Sequence, residues 1–172
     1  MATTISWKTD RQGFKTPTPH FTSNYFYNDI IVVSIDPEGN IDWASMVPKS
    51  QHTTDDEGIY SSYAVEVKSD KVYLIFNDSG KNLFVQPGDK IDPFELTGKD
   101  ALVALATVDG DGNVTREALF SPEKGDVILR PKHCVELSNE NMFVYVSRKN
   151  DYRFRGEAWG DGDVFALLVH EA

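Results

Sequence analysis

The sequence predicts an all-β fold of antiparallel strands, organised as two double-hairpin, blade-like repeats in the manner of a β-propeller. Three observations point there. Short β-branched and aromatic runs alternate with turn clusters through most of the chain. One turn pattern, Asp-x-(Asp/Glu)-Gly-Asn-(Ile/Val), occurs twice, with Gly39 and Gly112 separated by 73 positions. No stretch carries a capped apolar stripe at helical spacing. A β-sandwich or barrel made from the same hairpins is the alternative architecture.

The elements follow in order. Residues 1–24 are polar and contain Thr16-Pro17-Thr18-Pro19; they read as a lead-in with one short strand at residues 4–7. Residues 30–35, Ile-Ile-Val-Val-Ser-Ile, are almost continuously apolar, as expected of a strand buried on both faces. Asp36-Pro37-Glu38-Gly39-Asn40 is a turn, and residues 41–47 return with Trp43. A second hairpin joins residues 63–67 to 71–76 through Lys68-Ser69-Asp70. The grammar then repeats: residues 103–108, the turn 109–113, residues 114–120, then a hairpin from 133–137 to 142–146. A closing hairpin runs from 152–159 to 164–171 around Gly160-Asp161-Gly162-Asp163. The expected organisation is a lead-in over 1–24, a first repeat over 25–100, a second over 101–151 and a closing hairpin over 152–172, all in one domain.

Composition narrows the classes of function. Hydrophobic residues make up 40% of the chain, enough for a core. The 27 acidic against 17 basic side chains give a net charge of −10, which repels phosphate backbones and anionic membranes and argues against nucleic-acid binding. The longest apolar run, residues 101–108, is far short of the ~20 residues a spanning helix needs, so no membrane insertion is expected. The first residues lack a basic start followed by an apolar block, so no export signal reads there. The single cysteine, Cys134, forbids an internal disulfide and a multi-cysteine zinc site, and its alternating apolar setting reads as a packed thiol.

A further set of motifs occurs in a familiar order: Asn24-Tyr25-Phe26-Tyr27-Asn28-Asp29, Pro48-Lys49-Ser50-Gln51, Tyr60-Ser61-Ser62-Tyr63, Phe76-Asn77-Asp78, Lys81-Asn82-Leu83 and Arg130-Pro131-Lys132. Residues 24–155 resemble the carboxy-terminal part of a group of uncharacterised bacterial proteins with β-propeller-like repeats. The resemblance implies a blade-like fold and an exported, periplasmic or extracellular, location. It implies no activity and no catalytic residue.

Alternating strands sort the loops onto two sides. Segments 48–62, 77–101, 121–132 and 147–163 leave from one side, and the tight turns from the other. Long loops on a rigid scaffold carry binding groups. The expected ligand-binding set on that side is His52, Asp55, Asp56, Tyr60, Ser62, Asn77, Asp78, Lys132 and Arg148. Its mixed charge and its aromatic rings suit a polar small molecule, a glycan or a peptide. The leading reading is a non-enzymatic binding or interaction module that needs no cofactor. A carbohydrate-acting hydrolase using a carboxylate pair such as Asp56 and Asp78 is the rival, and a self-assembling, purely structural homo-oligomer is the third reading.

Three other motifs carry less. His52 with Asp55, Asp56 and Glu57 lacks a second nearby histidine for a metal site. Asp109-Gly110-Asp111-Gly112-Asn113 opens like a calcium loop, but Val114 replaces the required sixth-position Gly and Phe120 the twelfth-position Glu. Ser61 and Ser62 lie outside any Gly-x-Ser-x-Gly elbow.

Overall fold

Two hairpins are closed by the same local chemistry. In the first, strand β4 (Ile30–Ile35) returns as β5 (Ile41–Val47); in the second, β9 (Ala101–Val108) returns as β10 (Val114–Phe120). Asp36 accepts the backbone N–H and the side-chain amide of Asn40 at 2.7 and 2.9 Å. Asp109 does the same for Asn113 at 2.8 and 3.0 Å. Gly39 and Gly112 sit at φ of 91° and 83°, where a Cβ is strained. These bonds hold both aspartate carboxyls below their ordinary pKa range, the side-chain bond to the asparagine acting most.

The computed structural model describes residues 2–86, 88–96, 98–120, 127–137, 141–148 and 165–168. Among them no α-helix occurs, and every ladder between strands is antiparallel. No helix of the described residues is long and apolar enough to cross a membrane. β1 (Ala2–Thr9) pairs with β2 (Lys15–Thr22). β3 (Asn24–Tyr27) pairs with β6 (Gln51–Thr54), on either side of the β4–β5 hairpin in sequence. β7 (Ala64–Lys68) and β8 (Lys71–Ser79) join β9 and β10 in one four-stranded meander, ordered β7-β8-β9-β10. In the last sheet β11 (Val127–Leu129) and β12 (Val135–Leu137) flank a 3-10 turn at Pro131–His133. Both pair with β13 (Asn141–Arg148), and β14 (Phe165–Leu168) also pairs with β13. Leu129 and Phe165 both oppose Val146, and Val135 and Leu168 both oppose Phe143. β11 and β12 therefore share one edge of β13, as a single strand interrupted by Pro131, and β14 holds the other.

The meander is the middle of three layers. Its Leu74, Phe76, Ala104, Ala106 and Val108 pack against Ile30 and Val47 of the β4–β5 hairpin. Its opposite face, with Ile75 and Val103, packs against Leu129, Val144 and Val146 of the last sheet. Residues of β8 and β9 are thus buried on both sides, which explains their nearly unbroken apolar sequence. Each fully buried Leu, Val or Phe here contributes about 1.5–3 kcal/mol of burial free energy.

Several expectations change. The second and third hairpins are hydrogen-bonded to each other through β8 and β9, whereas the expected grouping put the second with the first. The reason is burial: β8 and β9 are the strands with apolar residues for both faces, so they take the centre. Residues 30–35, expected to be covered on both faces, are covered on one only, with Ile31 and Ile35 exposed. The lead-in is a full two-strand ribbon. β6 and β11 lie within segments 48–62 and 121–132, which the sequence predicts to be loops, and β3 forms where the sequence assigns no element. Of the closing hairpin, residues 165–168 form β14, and residues 152–159 lie outside the described residues. Cys134 is half-buried against the second core, its thiol 3.6 Å from the Arg130 carbonyl.

Candidate functional site

Strict alternation along β3 and β6 gives their ribbon two faces. Phe26 opposes His52 and Asn24 opposes Thr54 on the outer face; Tyr25 opposes Thr53 and Tyr27 opposes Gln51 on the inner one. On the outer face the Phe26 ring stacks on the His52 imidazole, with centroids 4.4 Å apart and planes 4° from parallel. Phe26 is nevertheless 66% exposed. Asn24 Oδ1 accepts from the Thr54 hydroxyl at 3.1 Å and lies 2.9 Å from His52 Nε2. An amide oxygen only accepts, so His52 Nε2 donates to it, and the Asn24 amide group remains a donor. The result is a flat, exposed, apolar platform rimmed by amide, hydroxyl and imidazole groups.

Beside it runs the loop of residues 55–62. Asp55, Glu57, Gly58 and Ser62 all have positive φ, at 54°, 57°, 62° and 88°. Three non-glycine residues in that region of one short loop store strain that the surroundings must hold. The restraints are visible. Asp55 Oδ1 accepts the Ser23 N–H at 2.7 Å, and Asp56 Oδ1 accepts the Gly58 N–H at 2.9 Å. The Ser62 N–H donates to Gln51 Oε1 at 2.9 Å. Gly58 lies against Tyr27, where a Cβ would come within 2.7 Å of the ring. Lys132 closes the far side. Its Nζ donates to Tyr27 Oη at 2.9 Å and to the Glu57 carbonyl at 3.0 Å, and lies 4.9 Å from the Tyr27 centroid. The Arg130 guanidinium lies over the Tyr60 ring, 5.5 Å from its centroid.

Beneath the loop lies a buried polar network. Lys49 Nζ donates to the Tyr27 carbonyl at 2.6 Å and to Gln51 Oε1 at 3.0 Å. Burial lowers the Lys49 pKa to about 8, against the opposing pull of Asp78 and Asp29. The Gln51 amide donates to the Asn77 carbonyl at 2.8 Å. Asp78 accepts from the Ser79 N–H and the Asn82 amide and forms an ion pair with Arg116 at 3.2 Å, both side chains almost fully buried. Burial raises the Asp78 carboxyl pKa and lowers that of Arg116, while the bonds to Asn82 and Ser79 and the ion pair oppose it at Asp78. Arg116 also donates to the Pro48 and Asn82 carbonyls and lies over the Phe76 ring. It thereby ties the meander to the loop side of the molecule.

The expected site residues thus divide. His52, Asp55, Asp56, Ser62 and Lys132 gather around the 55–62 loop with Tyr60 at its base. Asn77 and Asp78 are 0% and 1% exposed, with their polar groups engaged inside the chain, so they act as scaffold. The backbone of Arg148 pairs with Val127; its side chain lies outside the described residues. Sequence reasoning missed Asn24 and Phe26 as partners of His52. The signal was the alternation of polar and aromatic residues in Asn24-Tyr25-Phe26-Tyr27, which makes sense only once Gln51–Thr54 is a strand.

Among the described residues no group of three or more His, Cys, Asp or Glu side chains could hold a metal ion. A crevice of about 200 Å3 opens between Lys81, Asp92, Glu95, Lys99 and Asp100. It is smaller than the ~300–1,000 Å3 of ordinary ligand pockets, and the exposed Lys81–Asp100 pair at 3.5 Å contributes little. The platform and its loop are therefore the candidate site. No protein-family model, curated protein or solved structure matches the chain.

Proposed function

We propose that the protein is a non-enzymatic binding module whose ligand is a glycan, held on the β3–β6 platform beside the 55–62 loop. The observation that carries this is the exposed Phe26–His52 stack with Asn24 at its rim. A sugar ring offers an apolar C–H face to an aromatic surface and hydroxyls to amide and imidazole groups, and this platform supplies both. The strained loop favours the same location, since strain of this kind concentrates where ligands are gripped. The acidic surface disfavours nucleic acid. The hydrolase reading loses its carboxylate pair, since Asp78 is buried against Arg116.

The test is a glycan array followed by titration calorimetry, with a peptide library as the second arm. Phe26→Ala and His52→Ala should each weaken glycan binding about tenfold, as loss of an aromatic contact would. Both side chains are exposed, so the melting temperature should stay within a degree or two. A glycan bound equally well by Phe26→Ala removes the platform from the account. Binding of peptides with no glycan bound reassigns the ligand class.

A further inference from the structure

The β1–β2 ribbon is amphipathic, and its large apolar side chains are exposed. Thr3, Ile5, Trp7, Pro17, Pro19 and Phe21 share one face by register. Ile5, Trp7 and Phe21 are 62–64% exposed. The other face is polar, with Ser6 hydrogen-bonded to His20 at 2.7 Å. A two-stranded ribbon alone is marginal in water, so this one needs a surface to lie on. Pro17 and Pro19 remove two N–H donors from β2, which disfavours growth of the sheet at that edge and leaves the apolar face for association.

A matching surface is present on β4–β5. Its outer face carries Ile31, Val33, Ile35, Ile41, Ala44 and Met46, with Ile31, Ile35 and Ile41 at 62–70% exposure. Register gives each of these a counterpart in the β9–β10 hairpin. The pairs Ile35–Ile41, Val33–Ala44 and Ile31–Met46 correspond to Val108–Val114, Ala106–Arg116 and Ala104–Ala118. That counterpart face is the one the inner side of β4–β5 covers. There Trp43 Nε1 and Ser45 Oγ also cap the carbonyls of Gly110 and Gly112. The outer face of β4–β5 is thus the same surface one layer earlier, without its covering ribbon.

Charge and connectivity select the occupant. Lys8, Arg11 and Lys15 against Asp10 leave the β1–β2 ribbon two charges positive, in a chain of net charge −10. The β4–β5 hairpin has Asp36, Glu38 and Asp42 and no basic residue, three charges negative. The ribbon cannot reach its own hairpin, because only Ser23 separates β2 from β3. That residue is held at both ends: its N–H by Asp55 Oδ1 at 2.7 Å, and its carbonyl by the Asp55 N–H at 2.9 Å.

We propose that the outer face of β4–β5 is a self-association surface that receives the β1–β2 ribbon of a second copy of the chain. Exchange is reciprocal about a two-fold axis, so each copy gives a ribbon and takes one. The proposal is independent of the glycan platform.

The test is the solution mass of the full chain by analytical ultracentrifugation at micromolar concentrations, with melting temperature and circular dichroism as controls for folding. A dimer is expected. Ile31→Glu with Ile41→Glu on the receiving face, or Trp7→Asp on the ribbon, should raise the dissociation constant at least about tenfold, the effect of losing a buried interface anchor. Charge reversal by Lys8→Glu and Arg11→Glu should weaken the dimer without touching an apolar residue. A mixture of the receiving-face variant and the ribbon variant should form a heterodimer, because one intact ribbon–face pair remains between them. A monomeric chain overturns the proposal, as does a dimer unaffected by these substitutions, or a mixture of folded variants that stays monomeric.

Discussion

Asn77 sits between β8 and β11 with both amide protons and its oxygen committed: to the Tyr60 and Leu129 carbonyls at 2.8 Å and from the Leu129 N–H at 2.9 Å. Truncation by Asn77→Ala strands three backbone groups in a dry interior. It should cost about 3 kcal/mol in urea denaturation with an unchanged m-value. A much smaller loss would mean that water replaces the amide. Lys49 makes a prediction of opposite kind. Its folded-state pKa is about 8 against an ordinary 10.5, so the unfolded chain holds the proton more tightly between those values. Stability should therefore rise as the pH is raised from about 8 to 10.5, by roughly 3 kcal/mol at most. Lys49→Met should abolish that rise, read as melting temperature against pH; a rise that survives the substitution places its source elsewhere. The sequence marks Asn77-Asp78 as polar residues ending an apolar strand. Whether such residues face a ligand or the interior depends on Leu129, 52 positions away, and on Arg116, 38 positions from Asp78. Nothing local encodes that distance, so the pair looked like a site. His52, by contrast, was legible as an exposed polar group, and only its partner was hidden.

Turn chemistry made the hairpins readable. At their turns, all three central ones start and stop within one residue of the expected positions. The β7–β8 turn shows that such chemistry need not be optimal. Ser69 and Asp70 form a two-residue connection with φ of 49° and 59°, the type I′ geometry that Asn-Gly adopts with least strain. Ser69→Asn with Asp70→Gly should therefore stabilise the protein by about 1 kcal/mol, seen as a higher midpoint in urea. An unchanged or lower midpoint would show that the present residues make contacts worth more than the strain. β3 and β6 were harder to read. Gln51-His52-Thr53-Thr54 has no apolar alternation, and its partner strand lies before the β4–β5 hairpin, so neither composition nor adjacency announces the ladder.

Stacking of the layers was the least legible property, because two-faced burial can be read from composition but the identity of the neighbour cannot. The apolar runs of β8 and β9 fit any central position. The segment that joins them is anchored to another loop, where the Phe94 N–H donates to the Ser50 carbonyl at 2.8 Å, and is pinned on itself, where Asn82 bonds both backbone groups of Asp92 at 2.8 and 2.9 Å. With β8 in the middle, the cores on either side share strands, and the three layers should melt together. Phe76 tests this. It is fully buried in the core shared with β4–β5 and lies under the Arg116 guanidinium, 5.7 Å from its centroid. Phe76→Ala should cost about 3–5 kcal/mol. In a Trp7→Phe, Trp159→Phe background, Trp43 fluorescence reports the β4–β5 layer and far-UV circular dichroism the whole sheet content. Both transitions should fall together and by the same amount in the Phe76→Ala protein. A Trp43 transition that separates from the dichroism would mean that the first layer unfolds on its own, with the meander and the last sheet holding without it.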